Sequence, residues 1–292
     1  MGEGRAAPYV FPRENQFAYP VNAEDERDFH FSLTNMTTAL ASDSVAFNSR
    51  YNLESFLQGI DDLLKKSYDL KLDDPGNAIR ARSRVIPPGI DFSAIDAAGD
   101  SRSEDAPVIL WNHRWEHDKN PDLFFTTLFD LERRGVDFRL VVLGESFRAY
   151  PAVFDEARER LRLRERILHF GYVKSRREYA SWLKRCDIAV STAGHEFFGI
   201  SVIEAVRAGC RPLLPRRLSY PELFPEEFLY DDEDFACRLM QELSGHRRLP
   251  PVLAEELTGR FSWDTLAPVY EAWDQGCITA RLPTGCGLFS HA

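Results

Sequence analysis

Two glutamates with seven residues between them bracket a glycine and two phenylalanines in His195-Glu196-Phe197-Phe198-Gly199-Ile200-Ser201-Val202-Ile203-Glu204. If the segment is mostly helical, Glu204 lies about two turns beyond Glu196 and both carboxylates can face one crevice. The backbone N–H groups of Phe198, Gly199 and Ile200 then stand at a helix start, where unpaired donors and the positive dipole end suit a phosphate. Two carboxylates beside an anion site match the needs of a nucleotide sugar. One carboxylate accepts from the sugar hydroxyls and the other from the ribose hydroxyls. The competing reading is a surface glutamate and a helix glutamate with no joint role, and the spacing leaves both open.

Arg114 and Lys119 are two cations suited to a diphosphate, the arginine as a fork and the lysine as a point charge. They precede a helix start signalled by Asn120-Pro121, where positive charge opposes the macrodipole. Local conflict of this kind is what functional sites tolerate. The alternative is a pair of solvated charges, with Asp118 neutralising either one. His113, His117 and His195 match no zinc spacing, so no metal site is expected. Gly171-Tyr172-Val173 is a short loop able to hold a base through its backbone, and Gly144 closes another loop of the same kind.

These residues need a frame, and the alternation of patterns supplies one. Strands are predicted at Val108–Trp111, Arg139–Leu143, Ile167–Phe170, Ile188–Ser191 and Arg211–Leu214. Helices fall between them, with stops at Gly135 and Gly209 and a capping box at Ser175-Arg176-Arg177-Glu178. Strand–helix alternation implies a parallel sheet covered on both faces. Ligands in such sheets bind beyond the carboxyl ends of the strands, where the candidate residues lie. The section before this one carries predicted helices over 24–41 and 51–66, a buried strand at Val45-Ala46-Phe47, a loop over 67–83 and a short strand ending in a turn at 85–91. The domain reading is a partial amino-terminal domain over 1–91, a linker over 92–106, a nucleotide-sugar domain over 107–262 and a closing helix and tail over 263–292.

Composition narrows the classes. With 44% hydrophobic residues the chain can bury sizeable cores, and it contains no run of about 18 apolar residues of the kind that spans a membrane. The net charge of -10 supplies no global field for nucleic acid. A local cluster, Arg158, Arg160, Arg162, Arg164 and Arg166 with Arg176 and Arg177, reads as a solvated face balanced by Glu156, Glu159 and Glu165. Five irregularly spaced cysteines suggest neither a disulfide framework nor a zinc site, and with no signal-peptide core the expected location is the cytoplasm, the nucleus being the alternative. No G-x-G-x-x-G follows a strand, which argues against a dinucleotide dehydrogenase.

The Glu-(seven residues)-Glu segment resembles the donor-site signature of retaining glycosyltransferases of the two-Rossmann-domain GT-B type. Longer words resemble one branch, the tRNA-queuosine α-mannosyltransferase family. They are Glu14-Asn15-Gln16-Phe17-Ala18-Tyr19-Pro20, Glu26-Arg27-Asp28-Phe29, Phe47-Asn48-Ser49 with Glu54-Ser55-Phe56-Leu57, His113-Arg114-Trp115-Glu116-His117-Asp118-Lys119, Leu143-Gly144-Glu145, His195–Gly199 and Tyr220-Pro221-Glu222. The resemblance implies an α/β GT-B fold and transfer of mannose from GDP-mannose to queuosine in the anticodon of tRNA-Asp, without metal or other cofactor. It assigns Arg114 and Lys119 to the donor diphosphate, Glu196 to the hexose, Glu204 to the ribose and the Gly171–Val173 loop to the base. Gly144, His195, Phe198, Gly199 and Ile200 complete the donor side, and Arg13, Glu14, Asn15 and Gln16 the acceptor side. Two departures follow. The family's first strands and glycine-bearing loop are expected ahead of the Glu-Asn-Gln-Phe segment, which here begins at residue 14, and Arg13 stands where the family usually carries His. An incomplete amino-terminal domain and little transfer are therefore expected. Another donor or acceptor, or a non-catalytic nucleotide-sugar-binding remnant, stay as alternatives.

Overall fold

The structure is a computed structural model and describes residues 9–10, 15–17, 29–67, 72–99, 105–146, 150–245 and 248–279. The chain forms two compact units, Met1–Pro88 with Asp264–Ala292, and Gly89–Trp263.

In the first unit β1 (Tyr9–Val10), β2 (Ser44–Phe47) and β3 (Ser83–Val85) form a parallel sheet in the order β1-β2-β3. Helices α1 (Phe29–Ala41) and α2 (Arg50–Lys66) pack with it. The Ser49 hydroxyl caps α2 by accepting the Asn52 N–H at 3.0 Å, and α2 buries Leu53, Phe56, Leu57, Ile60 and Leu63. In the last turn Leu63 is buried and Leu64 packs half-buried on the same core. The expected loop over 67–83 contains a helix, α3 (Pro75–Arg80). Asp74 caps it in the left-handed region, and Pro75 occupies the first turn, where its missing N–H costs nothing. Phe17 lies on Gly59 of α2, so closely that a Cβ there would stand 2.2 Å from the Phe17 Cβ.

In the second unit β4 (Val108–Asn112), β5 (Arg139–Leu143), β6 (Ile167–Gly171), β7 (Ile188–Val190), β8 (Arg211–Pro215) and β9 (Leu229–Tyr230) form one parallel sheet in the order β6-β5-β4-β7-β8-β9. Side chains alternate between two cores, as the period of a strand requires. Val108, Leu110, Val141 and Leu143 join one core, with α4 (Ser93–Asp96), α7 (Arg176–Arg185), α8 (Ile200–Arg207), α9 (Tyr220–Leu223) and α11 (Pro251–Thr258). Ile109, Trp111, Leu140 and Val142 join the other, with α5 (Pro121–Arg133), α6 (Val153–Arg162) and α10 (Phe235–Gly245). A last helix, α12 (Trp263–Thr279), runs on from the second unit into the first.

The linker expectation is corrected at its start. Residues 92–98 belong to the second unit, because Phe92 and Ile95 are buried in its core and Ala94 and Ala98 pack against it. The unit therefore opens at Gly89, whose missing side chain leaves room for the Trp263 ring. Ile90 then pairs with the chain's return, its N–H donating to Phe261 O at 2.8 Å.

Several arginines of α6 and the segment after it are paired, but not with the expected glutamates: Arg158 pairs with Asp155. Arg160 and Arg164 pair with Glu132, and Arg166 pairs with Asp137. Among the described residues no helix is long and apolar enough to cross a membrane.

Candidate active site

The chain leaves β4 for β5 and β6, then returns to β7 on the other side of β4. The order reverses there, which is where a doubly wound sheet binds its ligand. The loops after β4 and β7 flank this point and are stitched together. The Thr192 hydroxyl is shared between Lys119 O at 2.9 Å and Asn120 O at 3.0 Å, and the N–H groups of Gly194 and His195 donate to Asp118 O at 2.8 and 3.2 Å. Trp115 anchors the first loop from below, buried and stacked on Phe154 with ring centroids 4.4 Å apart.

Lys119 is buried at this junction. Its Nζ donates to His195 O at 2.7 Å, pairs with Asp118 Oδ2 at 3.0 Å and stands 3.5 Å from Glu196 Oε2. Burial disfavours the ammonium, but Glu196 and Asp118 outweigh it and hold the lysine above its ordinary value. The same charges keep both acids ionised. Burial pushes Asp118 up, but His195 and Lys119 bring it down to about 2. Glu196 is likewise lowered against its burial by Lys119, His113 and the Phe198 N–H.

Two details of the helix start differ from expectation. The N–H groups of Phe198 and Gly199 are not free, because both donate to Glu196 Oε1, at 3.3 and 3.1 Å. The open amides move one step along, to Ile200 and Ser201, which occupy the first positions of α8 and have no intrahelical acceptor. Gly199 adopts φ +87°, and a Cβ there would lie 3.2 Å from the Tyr220 ring, so the turn into α8 calls for glycine.

Glu204 is buried within α8 and has its own partners. Tyr179 donates to its Oε2 at 2.6 Å, and the Arg176 guanidinium donates to its Oε1. Asn112, the last residue of β4, donates to the Tyr179 hydroxyl at 2.7 Å and to Ser201 O at 3.1 Å. The two glutamates therefore border the same strand end but sit in separate clusters, one on Lys119 and one on α7. Arg114 is half exposed and pairs with Glu116 at 3.2 Å, and its charge opposes that of Lys119.

Gly144 takes φ +119°, and a Cβ there would fall 1.9 Å from His113 O, so it is the support on which the Arg114–Lys119 loop rests. Gly171 ends β6 and is followed by exposed Tyr172 and by Val173, two strands from β4, or roughly 10 Å along the sheet edge. In the other unit lies Asn15, expected on the acceptor side. It is wholly buried, its amide donating to Ser55 Oγ at 3.0 Å and accepting the Phe17 N–H at 3.1 Å. The Gln16 N–H donates to Asn35 Oδ1 at 3.3 Å. Arg13 and Glu14 lie outside the described residues.

Sequence reasoning offered Asp118 as a partner for Lys119, but passed over His195 as its support, and Asn112, Arg176 and Tyr179 as partners of Glu204. Arg176 carried a readable signal, since it opposes the dipole at the first position of α7 just as Arg114 and Lys119 do before α5. Tyr179 carried none, because its partners are distant in sequence. Among the described residues no group of three or more His, Cys, Asp or Glu side chains is placed to hold a metal ion.

His113 gives this junction a pH dependence. Its Nε2 donates to Val190 O at 3.3 Å in a buried site. Burial, then the charge of Lys119, lowers it to about 4, against the opposing pull of Glu196, Val190 O and Asp118. The unfolded histidine titrates near 6.5, so between that pH and about 4 the unfolded chain takes up a proton the folded unit refuses. Stability from this group is fully present above about pH 6.5 and is lost as pH falls, by up to about 3 kcal/mol. Asp118 adds its own loss only from about pH 4 downward. Melting temperature measured against pH should fall across the histidine window, and His113→Gln should flatten that slope.

Residues 4–90 match a family described as tRNA-queuosine alpha-mannosyltransferase N-terminal, and residues 95–231 match glycosyl transferases group 1. A tRNA-queuosine alpha-mannosyltransferase of Drosophila melanogaster is 34% identical over 277 residues, covering 89% of this chain and 72% of that protein. Among solved structures, sucrose-phosphate synthase from Thermosynechococcus elongatus superposes with a TM-score of 0.66 at 17% identity, over 93% of this chain and 68% of that one. Anabaena HepE in complex with UDP gives 0.61 at 17% identity, over 84% and 69%. At such identities the likeness is one of fold, and that fold is the expected α/β GT-B type.

Proposed function

The chain belongs to the tRNA-queuosine α-mannosyltransferase family, and from that membership we propose that it transfers mannose from GDP-mannose to queuosine in the anticodon of tRNA-Asp. The observation that carries the donor half of this reading is Lys119, charged and buried where the strand order reverses, with Glu196 as its weakest partner at 3.5 Å.

The diphosphate seats against Lys119, the Ile200 and Ser201 amides and Arg114. Lys119 exchanges its long contact with Glu196 for a phosphate oxygen, and Glu196, still held by the Phe198 and Gly199 amides, accepts from the mannose hydroxyls. Glu204 takes the ribose, and the end of β6 takes the base. As the bond from the anomeric carbon to phosphate breaks, negative charge grows on the departing diphosphate and positive charge on the ring. Fixed cations and helix-start amides meet the first of these without reorganisation. The queuosine hydroxyl forms the new bond to the anomeric carbon, and its proton leaves with the GDP phosphate. An α-linked product from an α-linked donor requires attack on the face the diphosphate leaves.

This division of labour is separable by calorimetry. Glu204→Ala should weaken GDP and GDP-mannose alike, since the ribose is common to both. Glu196→Ala should weaken GDP-mannose more than GDP, since only the former carries the hexose. Equal losses for both variants with both ligands would remove the assignment.

A further inference from the structure

The ribose carboxylate is not left to find its own orientation. Glu204 Oε2 accepts the Tyr179 hydroxyl at 2.6 Å, and that hydroxyl accepts from Asn112 Nδ2 at 2.7 Å. Asn112 is itself tied to α8 through Ser201 O at 3.1 Å, so β4, α7 and α8 meet in one chain of hydrogen bonds. With its only proton committed to Glu204 and an oxygen lone pair to Asn112, the phenol has one orientation. Burial and the neighbouring carboxylate push Tyr179 well above its ordinary value, so it remains a donor at every working pH. The remaining oxygen, Oε1, is held by Arg176 from the solvent side, with the arginine side chain nearly half exposed. That leaves Oε1 as the oxygen open to exchange, and Oε2 as the fixed one.

We propose that Tyr179 is a positioning residue for donor recognition: oriented by Asn112, it fixes the Glu204 carboxylate so that the oxygen shared with Arg176 receives a ribose hydroxyl of the nucleotide. The proposal rests on the ribose assignment of Glu204. Because the ribose is remote from the breaking bond, the contact acts on binding of donor and transition state alike, so its loss raises KM and leaves kcat.

The test uses the full chain and the variants Tyr179→Phe and Asn112→Ala, each checked for an unchanged fold by circular dichroism. Tyr179→Phe should raise KM for GDP-mannose about tenfold, the worth of one hydrogen bond to a charged group, with kcat within about twofold. The decisive readout is calorimetry with GDP, 2′-deoxy-GDP and 3′-deoxy-GDP. Wild type should lose about tenfold in affinity for at least one deoxy form, whereas Tyr179→Phe should discriminate between them by about twofold or less. Asn112→Ala keeps the phenol but frees its orientation, should fall between the two, and serves if Tyr179→Phe does not fold. A Tyr179→Phe protein as sensitive to the ribose as wild type would overturn the positioning role while leaving Glu204 on the ribose. Indifference of wild type to both deoxy forms would overturn the ribose assignment itself, and the proposal with it.

Discussion

Lys119→Ala should lower kcat/KM for mannosyl transfer by about 10²–10³, the cost of removing one fixed group that meets charge developing on the leaving diphosphate. It should also destabilise the second unit by about 3–5 kcal/mol, because Asp118 and Glu196 would remain buried without their shared cation. The two effects separate in a double variant. Lys119→Met with Asp118→Asn removes one charge of each sign, leaves only Glu196 without its cation, and should recover part of the melting temperature without recovering turnover. Recovery of turnover along with stability would mean that Lys119 serves the fold and not the diphosphate. The measurement is initial rate and thermal unfolding on the same preparations.

Gly144→Ala should be nearly as damaging, for a different reason. The residue sits at φ +119°, where a side chain is strained, and the added methyl carbon would fall 1.9 Å from the His113 carbonyl oxygen. That oxygen is backbone, so either the end of β5 or the loop carrying Arg114 and Lys119 has to move. A loss of about 3 kcal/mol or more is expected in denaturant unfolding, together with loss of GDP-mannose binding. Gly171→Ala is the control. Its φ of +137° carries similar strain, but nothing lies within 4 Å of the added carbon, so the cost should stay near 1–2 kcal/mol. Equal effects for the two substitutions would show that the His113 contact contributes nothing.

Much of the second unit was legible because its signals are local. Alternating strands with glycine stops, the Asn120-Pro121 start and the Ser175 cap each announce an element within a few residues, and the expected strands appear within a residue of their expected ends. Leu229–Tyr230 is too short to show a period and was not read as a strand. Glu196, Glu204, Arg114 and Lys119 were found through their residue types and spacing, yet their pairings were not. Which amide Glu196 accepts, and that Tyr179 and Arg176 hold Glu204, depends on how α7 and α8 pack. No window of sequence contains that information. The same limit hides the setting of Asn15, whose polar side chain pins a buried turn to α2.

The most direct measurement is mass spectrometry of nucleosides from queuosine-containing tRNA-Asp after incubation with the chain and GDP-mannose. Hexosylated queuosine is expected, formed faster by Arg13→His and lost with Lys119→Ala. Queuosine left unmodified by both active-site-intact proteins, with GDP-mannose binding demonstrated in the same samples, would contradict the proposed transfer.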